Sequence, residues 1–427
     1  MRFKLKILIY WLQILLLPKF RSRKAIDDFQ KKRMNVFAKK ILTKSKFYRA
    51  FMLNGQFDWQ AVPQITKTEF MEAFDSINTC QISIDVAMKL ALEAEVSRDF
   101  KNKINGITVG LSTGTSGKRA LFLVSENERA WWVALVMARV MKPKFFKKQK
   151  VAFFLRANSN LYASVASNLF EFRYFDIFKP ISGLLEELSD YSPDILAAQP
   201  SILMDIADAK RKKFVSICPI QLISFAEVLH QQDKECIESV FGVPITEVYQ
   251  CTEGFLGVSC EYGTMHLNED FIRFDKEWID EDKFYPIITD FSRQSQPMVN
   301  YKLNDILQLR KTECACGSKL LAIEKIIGRD DDVLLLDNKK VFPDLIARRI
   351  AIATNAFQKY TIAQVGKNKL EVCLETEETE WEQARQAFEY ALNNLLREQG
   401  ILGTTLEFKS KLNTIQGNKL RKIKRDI

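Results

Sequence analysis

The sequence lacks an apolar run of the roughly twenty residues that a helix needs to cross a bilayer. Ile7 to Leu17 (ILIYWLQILLL) stops at eleven. A signal peptide would show the same basic start and apolar length. No small-residue cleavage site follows, however: Pro18-Lys19-Phe20-Arg21 stands there, so a retained helix is expected. The Walker pattern G-x-x-x-x-G-K-[ST] is also missing, which excludes that form of nucleotide loop. Repeats and low-complexity tracts do not occur, so a solenoid or fibrous design is set aside. Histidine is almost absent, with only His230 and His266, and His230 in its helical context reads as a surface residue.

The 427 residues, 47% of them apolar, are enough for a large core and more than one domain. The net charge of +10 is unevenly spread: residues 1–50 hold fifteen Lys/Arg against Asp27 and Asp28, a balance of +13 that leaves the rest near −3. A slightly acidic body argues against nucleic acid as a partner. The basic apolar segment either packs on the body or lies in the interface of an anionic membrane, through residues 1–50. Eight cysteines, none expected to pair, fit a cytoplasmic chain that is soluble or peripheral to the inner membrane face.

The arrangement centres on Ser112-Thr113-Gly114-Thr115-Ser116-Gly117-Lys118-Arg119. Gly106–Gly110 can enter it as a strand and Ala120–Val124 return from it. Small residues let backbone N–H groups turn around phosphate oxygens, with hydroxyls, Lys118 and Arg119 as further donors; a bland turn is the alternative. Ser125 and Glu128 have capping-box spacing for a helix to Met141, and Thr66-Lys67-Thr68-Glu69 suggests another helix start. Strands at 150–155, 193–198, 221–225 and 244–249, with a helix at 161–170 and others after 199 and 225, predict an α/β body with a mainly parallel sheet. Ligands of such sheets sit at strand C-termini, where Tyr249–Glu253 falls. After Gly328 come two hairpins, helices at 343–353 and from Trp381 to Gly400, and a last strand at 405–408. The expected organisation is a basic helical segment (1–60), a large α/β domain (61–328) and a small α+β lid (329–427).

Five motifs follow in order: the loop at 112–118, Tyr249-Gln250-Cys251-Thr252-Glu253-Gly254, Tyr301-Lys302-Leu303-Asn304-Asp305, Gly328-Arg329-Asp330-Asp331-Asp332 and Gly417-Asn418-Lys419. Together they resemble the adenylate-forming superfamily of acyl- and aryl-CoA ligases. The branch is that of phenylacetate-CoA ligase, coenzyme F-390 synthetase and the adenylating proteins of capsule-polysaccharide clusters. The resemblance implies ATP held by Ser112–Lys118, Thr252 at the α-phosphate and Mg²⁺ on Glu253. It further implies Tyr249 against adenine, Glu227 near it, Asp305 on the ribose, Arg329 and Asp331 as a hinge, and Lys419 as the catalytic lysine. Ala226 stands where many relatives carry Gly, and Asn418 separates Lys419 from Gly417, so Lys422 or Lys424 is an alternative to Lys419. Read plainly, Asp305 caps a turn, Glu253 caps a helix, Tyr249 is core and the tail is solvated.

Cys260, His266, Cys314 and Cys316 offer three thiols and an imidazole, enough for a closed structural zinc site; reduced, unligated cysteines are the alternative. The expected activity is adenylation of a carboxylate followed by transfer to CoA or another carrier thiol. AMP transfer to a hydroxyl substrate is a second reading, and a membrane-bound interaction protein on a ligase scaffold a third. The pocket that would choose the substrate has no motif.

Overall fold

The computed structural model describes residues 2–97, 99, 102–112, 119–141, 148–155, 170–354, 357, 359–410 and 421–427. Helix α1 (Arg2–Leu15) and α2 (Arg23–Lys40) lead the chain and pack on its body, burying Ile7, Ile14, Phe37 and Ala38 in the largest core. Short α3 (Lys67–Glu72) begins at the expected helix start, under a Thr66/Glu69 capping box. Strands β1 (Ile107–Leu111) and β2 (Leu121–Val124) pair antiparallel as the expected hairpin, and α4 (Glu126–Arg139) follows under a Ser125/Glu128 capping box.

Strands β3 (Gln149–Leu155), β4 (Phe170–Asp176), β5 (Ile195–Ala198), β6 (Gln221–Phe225) and β7 (Ile245–Cys251) form the parallel half of the main sheet. They are crossed by α5 (Ile181–Tyr191), α6 (Pro200–Arg211) and α7 (Gln231–Phe241), whose apolar stripes cover one face. The expected helix at 161–170 lies outside the described residues except for Phe170, which opens β4 instead; its alternation with aromatic Phe172 and Tyr174 suits a strand.

Beyond β7 the sheet turns antiparallel through β8 (Gly254–Ser259), β9 (Met265–Leu267), β10 (Ile272–Trp278), β11 (Lys283–Asp290), β12 (Met298–Lys302), β13 (Asp305–Leu309) and β14 (Ala322–Arg329). The twelve-stranded order is β10-β11-β13-β14-β9-β8-β7-β6-β5-β3-β4, with β12 on β11. The parallel character expected from sequence thus holds for five strands, where helices intervene. Beyond them, short links such as β7–β8 and β10–β11 join antiparallel neighbours.

After the 3₁₀ turn Asp330–Asp332 a separate core begins. Hairpin β15 (Leu334–Leu336)/β16 (Lys339–Val341), helices α8 (Pro343–Ala353) and α9 (Trp381–Glu398), and strands β17 (Lys359–Gly366), β18 (Lys369–Glu375), β19 (Thr405–Lys409) and β20 (Ile423–Arg425) build it. Strand β19 does not end this unit, contrary to expectation. The tail returns as β20, parallel to β17, so residues 423–425 are part of a four-stranded sheet and not a solvated end.

Candidate active site

The C-terminal ends of β6 and β7 open into a cleft of about 770 Å³ between the main sheet and the C-terminal unit. Ser112, Glu227, Tyr249, Thr252, Glu253, Asp305 and Arg329 all line it. Residues 113–118, which carry Thr113 to Lys118, and Lys419 lie outside the described residues. What brackets the loop is clear. Ser112 Oγ accepts from Ala120 N–H at 2.7 Å, and Arg119 donates through Nε to Ser112 O at 3.0 Å and through Nη1 to Glu95 at 2.7 Å. Arg119 braces the hairpin, with its guanidinium engaged by Glu95.

At the far wall, Tyr249 donates its hydroxyl to Asp305 Oδ2 at 2.6 Å, and Arg329 Nε stands 3.5 Å from Asp305 Oδ1. Asp305 and Arg329 face each other on β13 and β14, a register that explains the contact. Burial, then the Asp305 charge, pushes the Tyr249 phenol far above its usual range. For Arg329, burial opposes the charge, but Asp305 and Glu253 outweigh it and hold the guanidinium above its ordinary value. Glu253, at the β7–β8 turn, accepts from the Tyr301 hydroxyl at 3.1 Å. Glu227 accepts from Ser201 N–H at 3.2 Å at the start of α6, and Ala226 before it has φ 71. That left-handed φ suits a residue without Cβ better than alanine.

The turn Asp330–Asp332, expected as part of a hinge, is tied to the loop before β13. Asp330 N–H donates to Asn304 O at 2.9 Å, and Asn304 Nδ2 donates to Asp331 Oδ2 at 2.7 Å. Arg421 bonds Asp332 from the tail. Gly328, at φ 144, lets β14 bend into this turn where a side chain would be strained. Of the two alternative lysines, Lys422 lines the cleft and pairs with Asp233 of α7 at 2.6 Å, whereas Lys424 pairs with Asp426 at 2.5 Å.

A second cavity of about 310 Å³ adjoins the cleft, sharing Ala226, Val248, Gln250, Cys251 and Thr252 with it. Its other walls are mostly apolar and aromatic, including Trp131, Trp132, Leu135, Phe153, Phe225 and Phe271.

With this geometry in view, kinship follows from comparison. Against the phenylacetate-coenzyme A ligase of Thermus thermophilus the chain is 27% identical over 186 residues, 38% of this chain and 41% of that enzyme. It therefore spans less than half of that relative's length. With protein CapK of Staphylococcus aureus it shares 21% over 346 residues, 74% of this chain and 71% of that one. No protein-family model matches. A crystal structure of 2-hydroxyisobutyryl-CoA ligase in the postadenylation state, in complex with 2-HIB-AMP, superposes with a TM-score of 0.68 at 17% identity, over 94% of this chain and 89% of that one. The chain is similar in sequence to phenylacetate-coenzyme A ligases and in fold to a CoA ligase.

The sequence missed several residues at this site. Lys67 opens α3 and lines the cleft; burial lowers its pKa while Glu253 pulls the other way. The one signal was a cation in a first helical turn, where the helix dipole disfavours it. His230 is not a surface residue within a helix: it precedes α7 and lines the cleft, half-buried. Arg293 lines the apolar cavity, and its Nε and Nη2 are buried without a hydrogen-bond partner among the described residues. Nothing in the sequence marked Arg293, nor the tryptophans of α4.

Away from the cleft, Cys260, His266, Cys314 and Cys316 converge, all ligand atoms within 4.8 Å of one another. Cys260 and Cys314 Sγ are 3.6 Å apart, and Cys316 Sγ is 3.3 Å from His266 Nε2. A tetrahedral zinc with Zn–S near 2.3 Å sets ligand edges of about 3.7 Å, so the set fits such an ion. His266 Nδ1 lies 3.2 Å from Leu320 O, a partner that turns Nε2 to the thiols. Gly317, at φ 74, makes the turn of the knuckle.

Proposed function

We propose that this chain is an ATP-dependent, AMP-forming ligase for an apolar acid. The observation that carries the reading is the joint between the two spaces. A polar cleft holding Thr252, Glu253, Asp305 and Arg329 meets an aromatic cavity at Gln250–Thr252. A nucleotide in the first and an acid in the second would bring a carboxylate oxygen to the α-phosphorus. That oxygen forms the new P–O bond as pyrophosphate leaves, giving acyl-AMP. A thiol of CoA, or of another carrier, then attacks the acyl carbon, AMP leaves, and the thiol proton passes to solvent.

In this reading the 113–118 loop and Lys118 cradle the phosphates, Thr252 touches the α-phosphate and Asp305 receives the ribose hydroxyls. Tyr249 walls the adenine side, and Glu227 completes it beside the start of α6. Glu253 would hold Mg²⁺, which prefers one or two carboxylates plus phosphates and would neutralise charge on the triphosphate. Lys419 supplies the cation for adenylation, while Arg329 and Asp331 let the lid (329–427) turn on the large domain (61–328). Cys260, His266, Cys314 and Cys316 would hold a structural zinc, closed to substrate by four protein ligands. The basic segment 1–60 would keep this cytoplasmic enzyme peripheral to an anionic membrane face.

ATP–pyrophosphate exchange over a panel of aryl, fatty and hydroxy acids, with and without CoA, tests the proposal. Exchange should be greatest with apolar acids, thioester should form only with CoA, and Lys419→Ala should lose exchange by about 10²–10³-fold. No exchange with any acid, or exchange untouched by that substitution, would count against it.

A further inference from the structure

Sequence offered two places for the N-terminal helix, body or membrane, and α1 has a face for each. Ile7 and Ile14 are buried, and Phe3, Tyr10, Trp11 and Leu17 pack beside them. Helix α4 receives this face. The Tyr10 ring meets Trp131 edge-on at 5.5 Å, the Arg129 guanidinium lies 4.5 Å from the Phe3 ring centre, and Lys6 bonds Glu126 at 2.8 Å. On the opposite side Leu5, Leu8, Ile9, Leu12, Leu15 and Leu16 recur at helical spacing and are 45–82% exposed. Single exposed leucines are ordinary; six on one ridge form a patch of the kind that marks an interaction surface.

We infer that this outer ridge docks the protein on an anionic lipid bilayer, with α1 lying in the interface plane. Charge decides between occupants. Lys4 on α1 and Lys19, Arg21 and Lys24 just beyond it are exposed, within a segment of fifteen cations and two acids. Such a surface complements anionic headgroups, whereas a second copy would set two +13 segments against each other. At fourteen residues α1 is too short to cross, and among the described residues no helix is long and apolar enough to do so. The position also has a use that rests on the ligase reading: α4, on which α1 sits, gives Trp131, Trp132, Leu135 and Val136 to the apolar cavity. A docked enzyme holds its acid pocket behind the membrane-facing helix, suited to an acid that partitions into the leaflet.

The test is flotation of the full chain with vesicles of phosphatidylcholine alone or mixed with phosphatidylglycerol. Binding should require the anionic lipid and weaken with salt, and Leu8→Ser/Leu12→Ser should reduce it by at least about tenfold. Lys19→Glu/Arg21→Glu should reduce it as well. Equal binding by the leucine variant, or equal binding to neutral vesicles, overturns the inference. So does a dimer, seen by light scattering, that the leucine substitutions convert to monomer, because a second copy would then be the occupant. Both leucines are exposed, so soluble ATP–pyrophosphate exchange should be unchanged; flotation is read without it, which keeps failure of docking apart from failure of the ligase reading.

Discussion

Ala226 shows how much of a site is set by a single backbone angle. It sits at φ 71, between the end of β6 and Glu227, whose carboxylate accepts from Ser201 N–H. An L-residue there costs about 1–2 kcal/mol, while glycine gives back about 0.4–1 kcal/mol through the freedom of the unfolded chain. Ala226→Gly should therefore stabilise the fold by about 0.5–1 kcal/mol in a urea titration, with an unchanged slope. A destabilised variant would mean that the Ala226 methyl makes packing contacts worth more than the strain. Asp305 illustrates the reverse, a residue whose role sequence assigned without its neighbours. The carboxylate faces Tyr249 and Arg329, so a ribose would join or displace existing partners and not enter an empty position.

At the scale of elements, local signals were legible and long-range ones were not. Ser125/Glu128 announced its helix because a capping box is written within four residues, and Thr66 to Glu69 marked another helix start. The strands at 195–198, 221–225 and 245–251 were visible as apolar runs between turns. Strand β4 and the antiparallel half of the sheet were not foreseen, since pairing depends on partners far along the chain, as β9 on β14 does. Strand β20 was hidden for a related reason: its basic side chains read as tail, and only pairing with β17 buries Ile423. The knuckle at 314–317 was readable because ligand types and spacing carry the chemistry, and the β8–β9 turn brings Cys260 and His266 to it. If zinc joins these elements, purified protein should contain about one ion per chain. Cys316→Ser should lose it and lower Tm by several degrees, since metal binding is linked to folding. A metal-free wild type of undiminished stability would leave the cluster as reduced thiols.

The C-terminal core is joined across the cleft to the large body by ion pairs that sequence could not reveal. Lys359 reaches Asp205 of α6 at 2.7 Å and Lys422 reaches Asp233 of α7 at 2.6 Å, fastening the C-terminal unit to the parallel sheet's helices. His230 sits beside this fastening. Burial first, then the Lys422 charge, lowers its pKa to about 4; Asp233 and Asp344 pull upward, and Lys325 adds to the lowering. An unfolded histidine titrates near 6.5. Between those values the unfolded chain binds more protons than the folded one, so this contribution is fully present above about pH 6.5 and lost as pH falls toward 4. The full shift corresponds to about 3 kcal/mol as an upper bound, reduced by solvent because the ring is half-buried at the cleft. Opening the cleft would hydrate the imidazole and move it away from Lys422, so mild acid should favour separation of the two units before global unfolding. Thermal melts of wild type and His230→Gln across pH 7 to 4 measure the effect. The wild type should lose stability more steeply over that range, and the two should converge in slope above pH 7. Parallel curves throughout would show that His230 is solvated in the folded protein and that acid acts on the carboxylates of the interface instead.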